Sequence, residues 1–229
     1  MSESTLQTPS LTERPGTSDA VRAQILATEH WSLLATRSLT WTETFSRAGM
    51  FLTVVSGAVV ALALVGNATG FGPAFRGFAL LLLPVVLLIG LLTYARLSDA
   101  NLEEMGLLIG MNRLRHAYLE LAPDLTAYFV TGLHDDEAGI AQTYGTVFHR
   151  YTGYSVVQAL SGTPELVGLI TAVTGGVLGA LVASSLRWPE LASVTTGIIT
   201  GLAVAAALLL RTLRRYAQAR RAYQPKFPS

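Results

Sequence analysis

Chemistry needs titratable or metal-binding side chains held together, and one stretch of this chain concentrates them. LHDDEAG at 133–139 sets His134, Asp135, Asp136 and Glu137 side by side in a sequence with only 14% charged residues. A hard divalent cation takes several oxygen ligands, so a metal or regulatory site here would need further oxygens from elsewhere in the chain or from another subunit. Successive helical residues point in different directions, so these four cannot converge on one ion by themselves. Acids also favour the positive end of a helix that starts beside them. The expectation is therefore a solvated helix start, with the ion site as the alternative. The remaining histidines, His30, His116 and His149, lack metal-ligand spacing. No P-loop, HExxH, GxSxG or strand-preceded GxGxxG is found. With no cysteine, disulfides, zinc–thiolate sites and thiol nucleophiles are excluded. The reading is a protein that is not an enzyme and needs no cofactor.

What must position these residues is a set of long apolar helices. The chain has 229 residues and is 51% hydrophobic. Runs at 48–65, 77–95, 166–186 and 191–210 carry no charge. About 20 apolar residues at ~1.5 Å each cross the ~30 Å hydrocarbon layer, and backbone groups in lipid must be satisfied within a helix. The expected fold is an all-α integral membrane protein: four transmembrane helices as two hairpins, with cytoplasmic helical extensions. Pro73, Thr163-Pro164-Glu165 and Pro189-Glu190 read as helix starts. The expected segments are a disordered tail at 1–17, a juxtamembrane helix at 18–47, hairpins at 48–95 and 164–210, a cytoplasmic helical hairpin at 96–163 and a basic tail at 211–229.

Arginine sets the orientation. It supplies 15 of the 16 cations, a bias that suggests a bacterial genome rich in GC. The short loops 66–76 and 187–190 hold one arginine each, Arg76 and Arg187, and the other cations lie on the opposite side. The positive-inside rule places both termini and 96–160 in the cytoplasm of a bacterial inner membrane. Trp41, Phe45 and Tyr94 would mark the inner interface, and Phe71, Phe75 and Trp188 the outer one. The 18–47 helix is expected on the membrane surface or against a partner. Leu97, Ala100, Leu107, Met111, Leu114, Tyr118 and Leu121 form a heptad-like stripe that only Glu104 breaks. A second stripe follows at Ile140, Tyr144, Val147, Tyr151 and Tyr154.

The spans hold no ionisable residue, which argues against ion-coupled transport. Gly168, Gly175, Gly176, Gly179, Gly197 and Gly201 let helices approach closely, within the chain or between subunits. Thr171 and Thr174, with Ser193, Thr196 and Thr200, form polar stripes that could bond a neighbouring helix or line a wet path. Met50, Thr53, Gly57, Val60 and Leu64 make a narrow face on the first span, a candidate pore lining. Arg211, Arg214, Arg215, Arg220 and Arg221 follow the last span with no acid among them. They read as a topology signal and as a cluster facing anionic inner-leaflet lipid, the nearer polyanion than nucleic acid. A homo-oligomer is expected.

SRAGMFLTVVSGAVVALALV behind a polar helix, in a four-span plan with both ends inside, resembles Orai-type calcium channels. That resemblance implies a pore lined by the first span. The acid such channels carry near the outer mouth is replaced by Ala61–Val65 here, so calcium selectivity is not implied. Residues 20–121 also resemble the two-span SLATT-type bacterial effectors, which implies pore formation. The functional expectation is an oligomeric ion channel or pore-forming protein, with a non-conducting scaffold or partner-binding membrane protein as the alternative.

Overall fold

The computed structural model describes residues 17–144 and 162–229. Helix α1 spans Asp19–Thr69, 51 residues or about 76 Å at ~1.5 Å per residue. The Ser18 side chain caps it by accepting from the Val21 N–H. Gly70 ends it in the left-handed conformation (φ 59°), its N–H returning to the Gly66 carbonyl. Pro73 opens α2, which runs 49 residues to Leu121 and contains Pro84. Pro123 starts a 3-10 turn to Tyr128, and α3 covers Glu137–Tyr144. Helix α4 spans Thr163–Ser185, and α5 runs from Glu190 to Ala222. Every described element is helical, and α1, α2, α4 and α5 are each long and apolar enough to cross a membrane. The protein is an all-α, multi-pass membrane protein.

The spans pack α1 on α2, α2 on α4 and α4 on α5. One cluster draws on all four: Ala48 and Phe51 of α1, Tyr94 and Leu97 of α2, Val167 of α4 and Leu208 of α5. Gly90 makes the closest approach possible, because a Cβ there would collide with Thr171 and meet Phe51 at 3.1 Å. Tyr94 is 7% exposed, with its ring against Gly168 and its hydroxyl 2.8 Å from Thr212 Oγ1. It is therefore a packing residue and not the interfacial anchor its position suggests.

The expected spans sit inside longer helices. Helices α1 and α2 leave the apolar layer together and continue as an antiparallel stalk. Arg37 donates twice to Glu104, which is 8% exposed, and His30 stacks on Tyr118 with ring centroids 5.9 Å apart. Leu33 packs over Gly110. The 18–47 helix thus pairs with α2 instead of lying on the membrane, and the acid that broke the α2 stripe receives a cation from α1. Of that stripe, Leu97, Ala100 and Met111 are buried and the others partly so. Val147, Tyr151 and Tyr154 of the second stripe lie outside the described residues, as does the 1–16 tail.

The side of α1 turned away from α2 is continuous. In the stalk, Val21, Ile25, Thr28, Ser32, Ala35 and Leu39 follow alternating four- and three-residue steps, and all are exposed. Thr42, Ser46, Gly49, Thr53, Ser56 and Val60 carry the same steps on into the membrane, again all exposed.

Candidate functional site

The chemistry-bearing side chains gather beside the stalk, where α2, α3 and the segment after α5 meet. Asp135 has no exposed surface. Its Oδ2 accepts from Arg113 Nε at 2.7 Å, the Tyr223 hydroxyl at 2.9 Å and the Lys226 N–H at 2.9 Å. Its Oδ1 accepts from the Phe227 N–H at 2.8 Å. Burial pushes this carboxyl upward, but the two backbone N–H groups, Arg113 and Tyr223 outweigh it and hold it well below the usual carboxylate range. Asp136 Oδ1 accepts from the Gly139 N–H and caps α3, while Oδ2 accepts from the hydroxyl and N–H of Ser229. Those bonds, the Ser229 hydroxyl first, lower it to about 2. Glu137 turns outward to Arg220, 2.7 Å away.

Asn112, also without exposed surface, supports this clasp from α2. Its amide donates to the His134 carbonyl at 2.8 Å, and its oxygen accepts from Arg115 and lies 2.8 Å from Thr143 Oγ1. Close backbone approaches fix the turn: a Cβ at Gly132 would strike the Gly139 carbonyl, and one at Gly139 the His134 carbonyl. His116 lies between the His134 ring and Phe227, with centroids 5.9 and 4.6 Å away.

The solvated helix start expected at 133–139 is corrected in part. Asp136 does cap a helix, but Asp135 is a buried anchor for residues 223–229. The four neighbours do not converge, and no group of three side chains able to hold a metal occurs among the described residues. Asn112, Arg113 and Tyr223 were not singled out by sequence. Apart from Arg115, three residues from Asn112, the partners of their side chains lie 22 to 110 residues away, so no local pattern marks them.

In the membrane, each hydroxyl of the polar stripes bonds back into its own chain nearby. Thr171 donates to Val167, Thr174 to Ile170, Thr196 to Ala192 and Thr200 to Thr196, and Ser193 reaches the Trp188 carbonyl. They bond neither a facing helix nor one another. The glycines pack α4 on α5: a Cβ on Gly176 would lie 3.0 Å from the Gly197 oxygen, and one on Gly201 3.2 Å from the Ala172 oxygen. Gly179 faces Thr200, Gly175 faces Val204 and Gly168 faces Tyr94. On α1, by contrast, Met50, Thr53, Gly57, Val60 and Leu64 are all exposed, and Gly57 has nothing within 4 Å of its added Cβ.

The chain matches no protein-family model, no curated protein and no solved structure.

Of the basic cluster, Arg211 and Arg215 turn to Asp99 of α2, at 3.1 and 3.3 Å, and Arg220 to Glu137. Arg214 and Arg221 make no ion pair among the described residues and are exposed. Nearer the spans, Arg96 bridges Glu43 of α1 and Glu103 of α2 at 3.2 and 2.6 Å. These links tie α1 and α5 to α2 just outside the apolar layer. His30, part-buried beside Arg115, is pushed below its ordinary value by burial and by that cation, so it is neutral near pH 7.

Proposed function

We propose that the protein is a homo-oligomeric channel or pore-forming protein of a bacterial inner membrane, with both ends cytoplasmic and the outward side of α1 turned to the symmetry axis. The observation that carries this reading is the contrast between the spans. The small-residue faces of α4 and α5 are filled by each other, whereas Thr53 and Gly57 of α1 stand free beside Met50, Val60 and Leu64. Small faces in lipid favour helix association. A ring of such faces would make a narrow, largely apolar pore, closed when dry and conducting when wetted. The resemblance to Orai-type channels supports the same placement of the first span, and that to SLATT-type effectors supports pore formation. Arg214 and Arg221 remain available to anionic lipid.

Ion flux from vesicles containing the purified protein tests this. A potential-dependent leak is expected, and Thr53→Ser should widen it while Gly57→Leu blocks it. Vesicles that stay tight while the protein remains oligomeric would overturn conduction. They would favour a non-conducting scaffold, a reading supported by the braced stalk and its exposed Trp31, Tyr128 and Val130.

A further inference from the structure

The outward row of α1 runs from Val21 to Val60, so whatever covers it must pass from water into lipid without a break. At ~1.5 Å per residue the row is about 58 Å long. Its step alternates between four and three residues throughout, a mean period of 3.5. That is the period at which two helices that supercoil gently around each other keep the same stripe in contact. A lipid surface has no such period, and a soluble partner ends at the headgroups. A second α1 has the right length, the right period and the same membrane orientation, and so runs parallel.

Three further features fit a copy of the same helix. No ionisable residue lies on the row, so superposing it on itself brings no like charges together. Its threonines have their hydroxyl protons engaged: Thr28 donates to the Gln24 carbonyl, Thr42 to Ser38 and Thr53 to Gly49. What they present outward is short, as are Ala35 and Gly49, so two backbones can come close. A strip about 58 Å long and about 10 Å wide buries roughly 600 Å² per helix, or about 1,200 Å² in all, which reaches the size of stable interfaces.

We propose that α1 is the self-association helix of the protein, packing in parallel against α1 of a second copy along this row, through stalk and membrane alike. The inference rests on the homo-oligomer proposed above and names its contact; it does not require that the assembly conduct.

Because the chain has no cysteine, single cysteines report this directly in membranes. Ala35→Cys in the stalk and Ser56→Cys in the span are both expected to form disulfide-linked dimers on mild oxidation. Leu202→Cys, also exposed but on α5, serves as the background. Crosslinking of either α1 position at the background level would overturn a continuous α1 contact, meaning that lipid, water or another protein covers the row. As a second readout, Leu39→Glu places like charges opposite each other and should weaken association by more than about ten-fold, read as a shift toward the 24.4 kDa monomer in native detergent. Leu39 is 71% exposed, so the subunit should keep its fold, checked by its helical signal. Unchanged mass would also overturn the proposal. Crosslinking in vesicles that do not leak would leave the contact standing and remove the pore.

Discussion

The two membrane hairpins are built with different glue. Helices α4 and α5 meet through Gly176, Gly197 and Gly201, where backbone nearly touches backbone. Beyond the spans, α1 and α2 are joined by charge: Arg37 to Glu104, and Arg96 to Glu43. The difference follows the solvent. In lipid, an apolar side chain gains little by leaving one hydrocarbon surface for another, so association depends on close fit. In water, apolar packing such as that of Leu33 over Gly110 drives the pairing, and the ion pairs at its margin set the register. An exposed pair is worth only ~0–1 kcal/mol. Glu104 differs because it is nearly buried, and it would be costly to leave without Arg37.

The sharpest way to break the polar region is Asp135→Ala. It strands the Arg113 guanidinium and leaves the Lys226 and Phe227 N–H groups without acceptors. Removing one partner of a buried charge pair costs about 3–5 kcal/mol. Arg113 is 29% exposed, so the lower end is expected. Limited proteolysis should release 223–229 while the four spans stay inserted; a tail as protected as before would show that Asn112 and Phe227 suffice. A smaller effect is expected in the membrane region from Gly197→Ala, whose new methyl would meet Ala180 Cβ at 2.8 Å and the Gly176 oxygen at 2.9 Å. Overpacking of this kind costs about 1–3 kcal/mol, seen as a lower melting temperature in detergent. Gly77→Ala, with nothing within 4 Å, should leave it unchanged. Equal melting temperatures for both variants would mean that α4 and α5 are not held by close approach.

The mildest test is acid. The Asp136 carboxyl sits at about 2, below its ordinary ~3.9. A group lowered on folding stabilises the folded form above its unfolded value and loses that contribution as pH falls through the folded one. The protection of the Ser229 amide, its exchange relative to the unfolded chain at the same pH, should therefore be constant from about pH 8 to 5 and fall between about pH 4 and 2. Protection lost already above about pH 5 would show that a group other than Asp136 holds Ser229.

The spans were legible because length and apolarity are local properties, and the α4–α5 glycine face because its spacing is visible in one helix. Glu104 was visible as an irregularity, but its partner Arg37 lies on another helix. Tyr94 was misplaced because an aromatic near the end of a span fits an interfacial belt as well as a packed core. Asp135 carried no local sign of burial: Arg113 lies 22 residues away on α2, and its other donors are 88 to 92 residues away, in a segment read only as a basic tail. The outward row of α1 is made of Thr, Ser, Ala and Gly as much as of Leu and Val, and a search for large apolar residues passes over it.

The clasp also imposes an order on biogenesis. Asp135 and the Lys226 amide that satisfies it are separated by 91 residues, including both α4 and α5. At ~5–20 residues per second of synthesis, that is about 5–18 s during which the carboxylate has emerged but its donors at residues 223–227 have not. Until then the turn has reason to stay hydrated, and Arg113 is its sole charged companion. Closure waits for the last hairpin to be threaded into the bilayer, so a nascent chain that stalls before α5 exposes an open turn to proteases, and a fully inserted one hides it.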